Sequence, residues 1–304
     1  MTAVMVTGGL GFVGRHLVGG PADAGSTVVS YNRDYAESDR GQVVTVQGEL
    51  FDIPRLVRTL QRYDVERILH TAAMSHPELS VDLPVTTFAA NVQGTLSLFE
   101  AARLAGVRRI VNFSSECAYG HQEVDLVRES AQVRPTTPYG VTKVTTELLG
   151  DVYGDLYGLD VISLRITEVY GPGNPMPEVL KDMIVAATRA RPFRLDGGGD
   201  HRFQFVHVQD VTAAALAAAG VERAAQRVYN VTGGRQVSLF EAADIVRTAV
   251  PGADIVIGPG QIGTLDRQGP YDITAAARDL RYQPRWGLED GVQHYAEWLS
   301  DHPR

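Results

Sequence analysis

The chain has 304 residues, 44% of them hydrophobic and 21% charged, an ordinary globular composition with room for two domains or one large α/β unit. Its net charge of −8, without a basic tract, argues against nucleic acids as partners, and no apolar run reaches the roughly 20 residues of a membrane span. With a single cysteine and no secretory pattern at the start, we expect a cytoplasmic protein that does not associate with membranes.

Along the first 165 residues, nearly continuous apolar runs alternate with helical patterns. Such runs are typical of strands that are buried on both faces of a parallel sheet. We predict strands at 3–6, 27–30, 43–46, 67–71, 109–113 and 161–165, and helices at 54–63, 91–106 and 139–157. The repeated β-α-β order predicts an α/β fold with a doubly wound parallel sheet of the Rossmann type.

The first helix has an unusual composition. It should run from Gly14 to about Ala24, yet it contains Gly19, Gly20 and Pro21. Two glycines and an internal proline weaken a helix, so we expect a kink or an early stop near residue 19.

Beyond residue 170 the pattern becomes irregular. A Gly/Pro-dense turn at 170–177 precedes a predicted helix at 178–190, a strand at 203–208 and a C-terminal helix at 288–300. We therefore predict a sheet domain at 1–169, joined by parts of about 203–232, and a smaller C-terminal α/β domain formed mainly by 170–304.

A glycine-rich turn lies between the first strand and the first helix, where Gly8, Gly11 and Gly14 are three residues apart. In this context glycines allow a tight turn, a close approach of the backbone to a pyrophosphate, and close packing of helix on strand. The free N–H groups of the helix N-terminus then face the phosphates. The turn, including Phe12 and Val13, predicts a dinucleotide site in the first domain and leaves the second mainly for the substrate.

The end of the second strand indicates which dinucleotide is bound. NAD sites usually carry an acidic residue there, but this chain has Asn32, followed by Arg33 and Asp34. An arginine suits the 2′-phosphate of NADP, whereas Asp34 could still bond a ribose. We expect NADP as the cofactor, with NAD as the alternative.

Tyr139 and Lys143 are four residues apart on a predicted helix and therefore share a face. A nearby ammonium stabilises a phenolate, so this tyrosine could exchange a proton with a substrate hydroxyl near neutral pH. Ser115 lies at the end of the strand before that helix, where ligands of open α/β sheets bind. Its hydroxyl could bond the same substrate oxygen.

These residues resemble the extended short-chain dehydrogenase/reductase family of NAD(P)-dependent sugar epimerases and dehydratases, which includes UDP-glucose 4-epimerase-like members. The resemblance spans nearly the whole chain. The matching segments are Thr7-Gly8-Gly9-Leu10-Gly11-Phe12-Val13-Gly14, Gly48-Glu49-Leu50-Phe51-Asp52, His70-Thr71-Ala72-Ala73, Asn91-Val92-Gln93-Gly94-Thr95, Leu164-Arg165, Tyr170-Gly171-Pro172 and Leu288-Glu289-Asp290-Gly291.

The resemblance implies a catalytic triad of Ser115, Tyr139 and Lys143, in which Tyr139 deprotonates a sugar hydroxyl as hydride passes to the nicotinamide. It also implies a homodimer that pairs through the helices at 91–106 and 139–157. The cofactor-site candidates are Gly8, Gly11, Phe12, Val13, Gly14, Asn32, Arg33, Glu49, Leu50, Thr71, Ala72, Ala73, Tyr139 and Lys143. The substrate-site candidates are Ser75, Ser115, Glu168, Glu178, Arg202 and Arg267.

Some substrate positions depart from the family pattern. Glu168 takes the place of an asparagine that often contacts the phosphates of a nucleotide sugar, and its negative charge would disfavour a diphosphate. Arg202 is displaced from the expected phosphate arginine, while Arg267 resembles another one. The resemblance thus leaves two alternatives: the sugar lacks a nucleotide, or the protein binds it differently.

Glu116 and Cys117 follow Ser115, at positions where the family's 4,6-dehydratases carry Asp-Glu. Cys117 is not that base, which argues against classical dehydration. GDP-mannose 3,5-epimerases and GDP-fucose synthases instead carry Ser-x-Cys-x-Tyr there. Cys117 is therefore either a small buried residue or a proton-transfer group, and the second role needs a lowered thiol pKa. Glu116 is a further catalytic candidate, because burying a carboxylate at a strand end is energetically costly and a function would explain it. No metal-ligand cluster is visible, so no metal is expected.

Three functions follow as hypotheses. The first is an epimerase of a sugar or nucleotide sugar, which oxidises a hydroxyl transiently to a ketone and returns the hydride. The alternative is an NADP-dependent dehydrogenase or reductase of a sugar or a related hydroxy or keto compound, which Arg33 favours. The third is a non-catalytic dinucleotide sensor, against which the presence of Ser115, Tyr139 and Lys143 argues.

Overall fold

The computed structural model describes residues 3–23, 25–36 and 41–302. Its strands are β1 Ala3–Thr7, β2 Val28–Asn32, β3 Val43–Gln47, β4 Val65–His70, β5 Arg109–Ser115, β6 Asp160–Ile166, β7 Glu168–Tyr170, β8 Phe193–Leu195, β9 Arg202–Phe203, β10 Phe205–His207, β11 Val228–Val231, β12 Val237–Ser238 and β13 Ile255–Ile257. Its α-helices are α1 Phe12–Asp23, α2 Ile53–Arg62, α3 Pro77–Asp82, α4 Pro84–Phe88, α5 Gly94–Ala105, α6 Pro138–Tyr157, α7 Val179–Thr188, α8 Val208–Gly220, α9 Leu239–Ala249, α10 Thr274–Leu280 and α11 Leu288–Asp301. A turn of π-helix, Ala89–Gln93, precedes α5, and a turn of 3-10 helix, Glu116–Ala118, follows β5.

Seven strands form one sheet in the order β11-β6-β5-β4-β1-β2-β3, and all their pairings are parallel. Every residue of β1, β2 and β5 is buried, as expected for strands covered on both faces. The order steps outward from β1 in both directions, so the sheet is doubly wound. The fold is therefore a Rossmann-like α/β sheet, as the sequence predicts.

Each face of the sheet carries its own apolar core. On one face, Leu56 of α2, Phe99 of α5 and Tyr153 of α6 pack against the strands. On the other, Leu17 of α1, Val211 of α8 and the small side chains of α10 do so. The helices on both sides hold the strand ends in fixed positions.

A third apolar core lies outside the sheet, in the second half of the chain. It joins α7, α9 and α11 through Met183, Val246 and Tyr295, among others. The chain between 208 and 231 returns to the sheet, because α8 packs on it and β11 pairs with β6 at its edge. The proposed domain division stays a prediction. The elements of this third core nevertheless pack into a unit of their own, the second body, which faces the carboxyl ends of the sheet strands.

The six strands predicted in the first 165 residues are confirmed, with ends that move by at most two residues. The helices predicted at 54–63, 91–106 and 139–157 are confirmed too, the second beginning with the π-turn. The strand predicted at 203–208 is split into β9 and β10 at Gln204.

Of the kink or early stop predicted near residue 19, the early stop is wrong, and the kink stays a prediction. Helix α1 continues through Pro21 to Asp23, and residue 24 lies outside the described residues. The proline stands in the last turn, where little helix remains to be disrupted, and the Pro21 and Ala22 carbonyls accept hydrogen bonds from Ser26 and Gly25. Gly20 brings the helix close to Leu216 of α8, which a Cβ would meet at 3.1 Å.

Within the described part of the chain, no helix has both the length and the apolar character needed to cross a bilayer.

Candidate active site

A cavity of about 1220 Å³ opens at the carboxyl ends of the sheet strands, between the sheet and the second body. This is the edge where ligands of open α/β sheets bind. All fourteen cofactor-site candidates line it, as do the catalytic candidates Glu116 and Cys117 and the substrate candidates Ser75, Ser115, Glu168 and Glu178. The structure thus brings most of the predicted site residues into one space.

The glycine turn is built so tightly that side chains cannot enter it. A Cβ at Gly14 would lie 2.1 Å from the Gly8 carbonyl oxygen, and Gly8 itself has a φ of +70°. The amide of Gly11 donates to the Gly8 carbonyl at 2.8 Å, and α1 begins at Phe12. The helix N-terminus therefore opens directly onto the cavity, which is the cradle a pyrophosphate needs.

Asn32 supports this turn from inside. Its Oδ1 accepts from the Leu10 amide at 2.9 Å, and its Nδ2 donates to Ser30 Oγ at 3.0 Å. The side chain is buried, so the position expected to read the ribose is bonded within the protein. Arg33 and Asp34 are exposed and line the same end of the cavity, which leaves them free to meet the adenosine end of a dinucleotide.

The catalytic candidates lie at the end of β5, which carries Ser115, and at the start of α6, which carries Tyr139 and Lys143. Thr137 caps α6 by accepting from the Gly140 amide at 3.1 Å, which places Tyr139 in the first turn. Gly140 packs so closely on the turn after β5 that a Cβ would lie 2.4 Å from the Cys117 carbonyl oxygen. The α6 N-terminus and the β5 end are thus held against each other, with Ser115 and Tyr139 on facing sides.

Burial dominates the electrostatics of this group. It raises the pKa of Tyr139, while a hydrogen bond with Ser115 works against the rise. It lowers the pKa of Lys143 to about 8. Lys143 Nζ donates to the Phe113 carbonyl at 2.6 Å and lies 5.3 Å from the Tyr139 ring centroid. The ammonium is therefore close enough to act on the phenol.

The surroundings of Cys117 do not favour a thiolate. Burial raises the pKa of its thiol, and the negative charge of Glu116 raises it further. The proton-transfer role requires the opposite, a lowered pKa. The structure therefore favours the first alternative, a small residue whose backbone carries the contact with α6.

Three carboxylates converge on the substrate end of the cavity. Burial and the charge of Glu168 raise the pKa of Glu116, although a hydrogen bond with Tyr271 opposes this. Burial likewise raises the pKa of Glu168. Burial and the same Glu168 charge raise the pKa of Glu178 to about 8, against two backbone N–H bonds at the start of α7. Near neutral pH this end of the cavity therefore holds protons as well as negative charge.

The two predicted phosphate arginines are not brought to the cavity. Arg202 is exposed and does not line it, whereas its neighbour Phe203 does. Arg267 does not line it either, and pairs with Glu123 at 3.2 Å. Successive side chains of a strand point to opposite sides, so Arg202 points away from the cavity that the next residue, Phe203, lines.

Sequence reasoning missed several lining residues, among them Thr167, Phe203 and Arg194. Thr167 directly precedes the predicted substrate residue Glu168 and follows the end of β6. Because strand ends line such cavities, this position could have predicted that Thr167 lines the site. Arg194 and Phe203 come from short strands of the second body, whose pattern was too weak to place. Among the described residues, no group of three or more His, Cys, Asp or Glu side chains is arranged to hold a metal ion.

The family model of the NAD dependent epimerase/dehydratase family matches residues 4–232. A UDP-glucose 4-epimerase from Mycolicibacterium smegmatis is 33% identical over 98% of both chains, and a dTDP-glucose 4,6-dehydratase from Streptomyces griseus is 30% identical over 99% of this chain and 95% of that one. The solved structure of MoeE5 with UDP-glucuronic acid and NAD superimposes with a TM-score of 0.89, at 31% identity over 98% and 99% of the two chains. The chain belongs to the NAD dependent epimerase/dehydratase family and is an enzyme.

Proposed function

We propose that this enzyme is an NAD(P)-dependent epimerase of a sugar or nucleotide sugar, acting by transient oxidation of a hydroxyl and return of the hydride. The observation that carries the proposal is the meeting of Ser115, Tyr139 and Lys143 in the cavity that the glycine turn opens onto. The epimerase relative adds support. A bound dinucleotide supplies a nicotinamide ring that accepts a hydride and gives it back.

The residues of the chain divide the remaining work. Tyr139 takes the proton from the substrate hydroxyl, and Ser115 hydrogen bonds the same oxygen. Lys143 places positive charge beside the Tyr139 ring and so favours the phenolate. Because all three are buried, these interactions act in a site of low dielectric, where each is stronger than in water.

Epimerisation is favoured over 4,6-dehydration by the residues after Ser115. Cys117, with its raised thiol pKa, is a poor base for removing a proton from carbon. Glu116 alone provides a carboxyl group at that strand end. A net reductase is the second candidate, because Arg33 lies exposed at the cofactor end and suits NADP.

Turnover in deuterated water separates these functions. We would incubate the purified enzyme with sugars and nucleotide sugars and follow product isomers, cofactor redox state and deuterium content. An epimerase gives isomers without net change in cofactor. Stoichiometric consumption of NADPH would contradict the proposal and favour the reductase, and tight cofactor binding without any turnover would favour a sensor.

Tyr139→Phe should lower kcat by at least about 10²-fold, since it removes only the hydroxyl that moves the proton. Dinucleotide binding and melting temperature should change little. Tyr157→Phe is the matched control, because Tyr157 is an exposed tyrosine on the same helix. A Tyr139→Phe enzyme with full activity would refute the mechanism.

The cofactor preference rests on Arg33. We propose NADP in preference to NAD, because Arg33 is exposed at the cofactor end and Asn32 carries no charge. Arg33→Ala should weaken NADP binding by roughly 10-fold, the loss of one charge-assisted hydrogen bond, and leave NAD binding unchanged. Titration calorimetry with both dinucleotides measures this, with Arg223→Ala as the control. Equal effects on both would show that Arg33 does not read the phosphate.

The proposal extends to assembly and location. We infer a homodimer that pairs through α5 and α6, which expose Leu96, Leu104, Leu148 and Leu156 on one side of the molecule. An unpaired cysteine beside the cavity suits a reducing compartment, so we infer the cytoplasm.

A further inference from the structure

We propose that Glu147 is a positioning residue of this site, which docks helix α6 on the end of β5 and keeps the Lys143 ammonium charged. The inference rests on the proposed function, because that function needs the ammonium beside Tyr139. Glu147 does not line the cavity, so it acts through its neighbours rather than on the substrate or the cofactor.

Glu147 ties the end of β5 to α6 one turn beyond Lys143. The two residues are four apart on α6 and therefore share a face of the helix. Ser114 Oγ donates to Glu147 Oε1 at 2.5 Å, and Lys143 Nζ donates to the carbonyl of the preceding residue, Phe113, at 2.6 Å. Because the next residue along β5 is Ser115, these two contacts set the position of its hydroxyl relative to α6.

Arg165, on the neighbouring strand β6, holds the Glu147 carboxylate. Its Nε and Nη2 donate to the two carboxyl oxygens at 2.9 and 2.6 Å, and both side chains are buried. The guanidinium is fixed in turn by the Glu129 carbonyl, which accepts from Nη1 at 3.1 Å, and by the Tyr119 ring, whose centroid lies 4.5 Å from Cζ. A guanidinium stays charged in proteins, and two parallel bonds to it favour the carboxylate. Glu147 is therefore a fixed negative charge one helical turn from Lys143.

The other titratable groups that face Lys143 among the described residues carry no charge near neutral pH. Burial raises the pKa of Tyr139 on α6 and of the Cys117 thiol after β5, so both keep their protons. Burial and the charge of Lys143 lower the pKa of His70 on β4 to about 3, so its ring is neutral. Glu147 is therefore the group that supplies negative charge to this ammonium.

That charge affects how Lys143 titrates. Burial lowers the Lys143 pKa to about 8, and the charge of Glu147 opposes the decrease. Without this carboxylate the ammonium would lose its proton at a lower pH, and the unpaired charge of Arg165 would act in the same direction. Lys143 favours the Tyr139 phenolate only as an ammonium. Glu147 thus extends the pH range in which the proton transfer works.

The sequence allows Lys143 to be titrated directly. The chain contains two lysines, Lys143 and Lys181. The cofactor-loaded enzyme with carbon-13 at the lysine Cε should therefore give one NMR signal for each, which the Lys181→Arg variant assigns. We expect the Lys143 signal to titrate near pH 8 in the wild type and about one pH unit lower in Glu147→Gln, which keeps the shape of the side chain and removes its charge. An unchanged Lys143 titration in a folded Glu147→Gln enzyme would overturn the inference.

Asp160→Asn is the matched control, because it breaks a second ion pair between the same two strands. Arg109 Nε of β5 donates to Asp160 Oδ2 of β6 at 2.7 Å, at the amino ends of the strands and away from the cavity. Both variants leave a buried arginine without its carboxylate and should lower the free energy of unfolding, but only Glu147→Gln should move the Lys143 titration. An equal shift in Asp160→Asn would assign the effect to a loosened sheet and contradict the inference.

A double variant covers the case in which Glu147→Gln does not fold. Glu147→Gln combined with Arg165→Met leaves no unpaired buried charge, and such replacements are often neutral or stabilising. Lys143 should still titrate below the wild-type value, because Glu147 acts on it directly from the next turn of the same helix. Melting temperature and dinucleotide binding verify the fold of each variant. A wild-type Lys143 titration in the folded double variant would contradict the inference.

Turnover gives a readout that a purely structural role would not move. As Lys143 loses its proton, kcat should fall at high pH. This fall should begin about one pH unit lower in Glu147→Gln, with KM little changed because Glu147 does not touch the substrate. A fall that stays at the wild-type pH would contradict the inference.

The two proposals can fail separately. Tyr139-dependent epimerisation, with a Lys143 titration that does not depend on Glu147, would leave the proposed function standing and overturn this inference. A Lys143 titration that depends on Glu147, in an enzyme without any turnover, would support the inference and overturn the proposed function.

Discussion

Glu178 has two roles that pull its protonation in opposite directions. As the cap of α7 it accepts from the Leu180 and Lys181 amides at 2.9 and 3.0 Å, which favours the carboxylate. As a buried carboxyl group in the cavity beside Glu168, it favours the neutral acid instead. This effect is larger than that of the cap, since the pKa of Glu178 rises to about 8. The protein therefore holds a proton at this residue that an unfolded chain would release.

That proton makes stability depend on pH. The folded pKa of Glu178 is about 8, and its ordinary value is 4.5, so between these values the folded state binds more protons than the unfolded state. The free energy of unfolding should therefore fall as pH rises from 4.5 to 8, by up to about 1.4 kcal/mol per pH unit from one such group. Glu116 and Glu168, whose pKa values are also raised, act in the same direction.

Denaturant unfolding between pH 5 and pH 8 measures this. Glu178→Gln should lower the slope with pH, even though a weaker cap lowers stability at every pH. Glu289→Gln should keep the wild-type slope in this range, because the Glu289 pKa is lowered. A Glu178→Gln protein with the unchanged slope would show that Glu178 does not hold the proton.

At the scale of elements, the sequence is most informative where one pattern decides a structure. Buried strands and the turn of Gly8, Gly11 and Gly14 are predicted well, because burial on both faces and a close backbone approach each leave few residue choices. The end of α1 was predicted wrongly, since local propensity does not reveal that packing on α8 supports the last turn. The direction of the Arg202 side chain and the raised pKa of Cys117 depend on how the sheet and the second body pack around the cavity. No local sequence pattern therefore predicts either of them.

Gly14→Ala tests the turn as an element. The new Cβ would lie 2.1 Å from the Gly8 carbonyl oxygen and 2.8 Å from Gly9 Cα, both rigid backbone atoms. We expect a loss of about 1–3 kcal/mol or more in the free energy of unfolding, and at least about 10-fold weaker dinucleotide binding, because the helix N-terminus must shift.

Gly220→Ala is the matched control for that variant. Gly220 ends α8, and a Cβ there would meet nothing within 4 Å. It should leave the cofactor affinity unchanged and stabilise the helix by up to about 1 kcal/mol. If Gly14→Ala bound the dinucleotide as tightly as the control, the close approach at the turn would not matter for the cofactor.

At the scale of the whole molecule, the cavity depends on the sheet and the second body together. The sheet contributes Ser115 and the adjoining helix α6 contributes Tyr139, while the second body contributes Glu178 and Phe203. The remaining large feature is the apolar surface on the opposite side of α6, away from the buried Tyr139 and Lys143. There Leu148, Val152 and Leu156 are four residues apart and 59%, 48% and 67% exposed. An apolar stripe at helical spacing is typical of a surface that packs on a partner.

We therefore expect Leu148→Glu combined with Leu156→Glu to convert a homodimer into a monomer. Charges at the centre of an apolar interface would be buried without partners, which is strongly unfavourable. Sedimentation at micromolar concentration should give twice the chain mass for the wild type and the chain mass for the variant. Val256→Glu, at an exposed position of β13 in the second body, should leave the dimer intact. A wild type that sediments as a monomer would show that the homodimer does not form. A variant that stays dimeric would show that the dimer contact lies elsewhere. Because the stripe lies away from the cavity, the monomeric variant should retain its dinucleotide affinity.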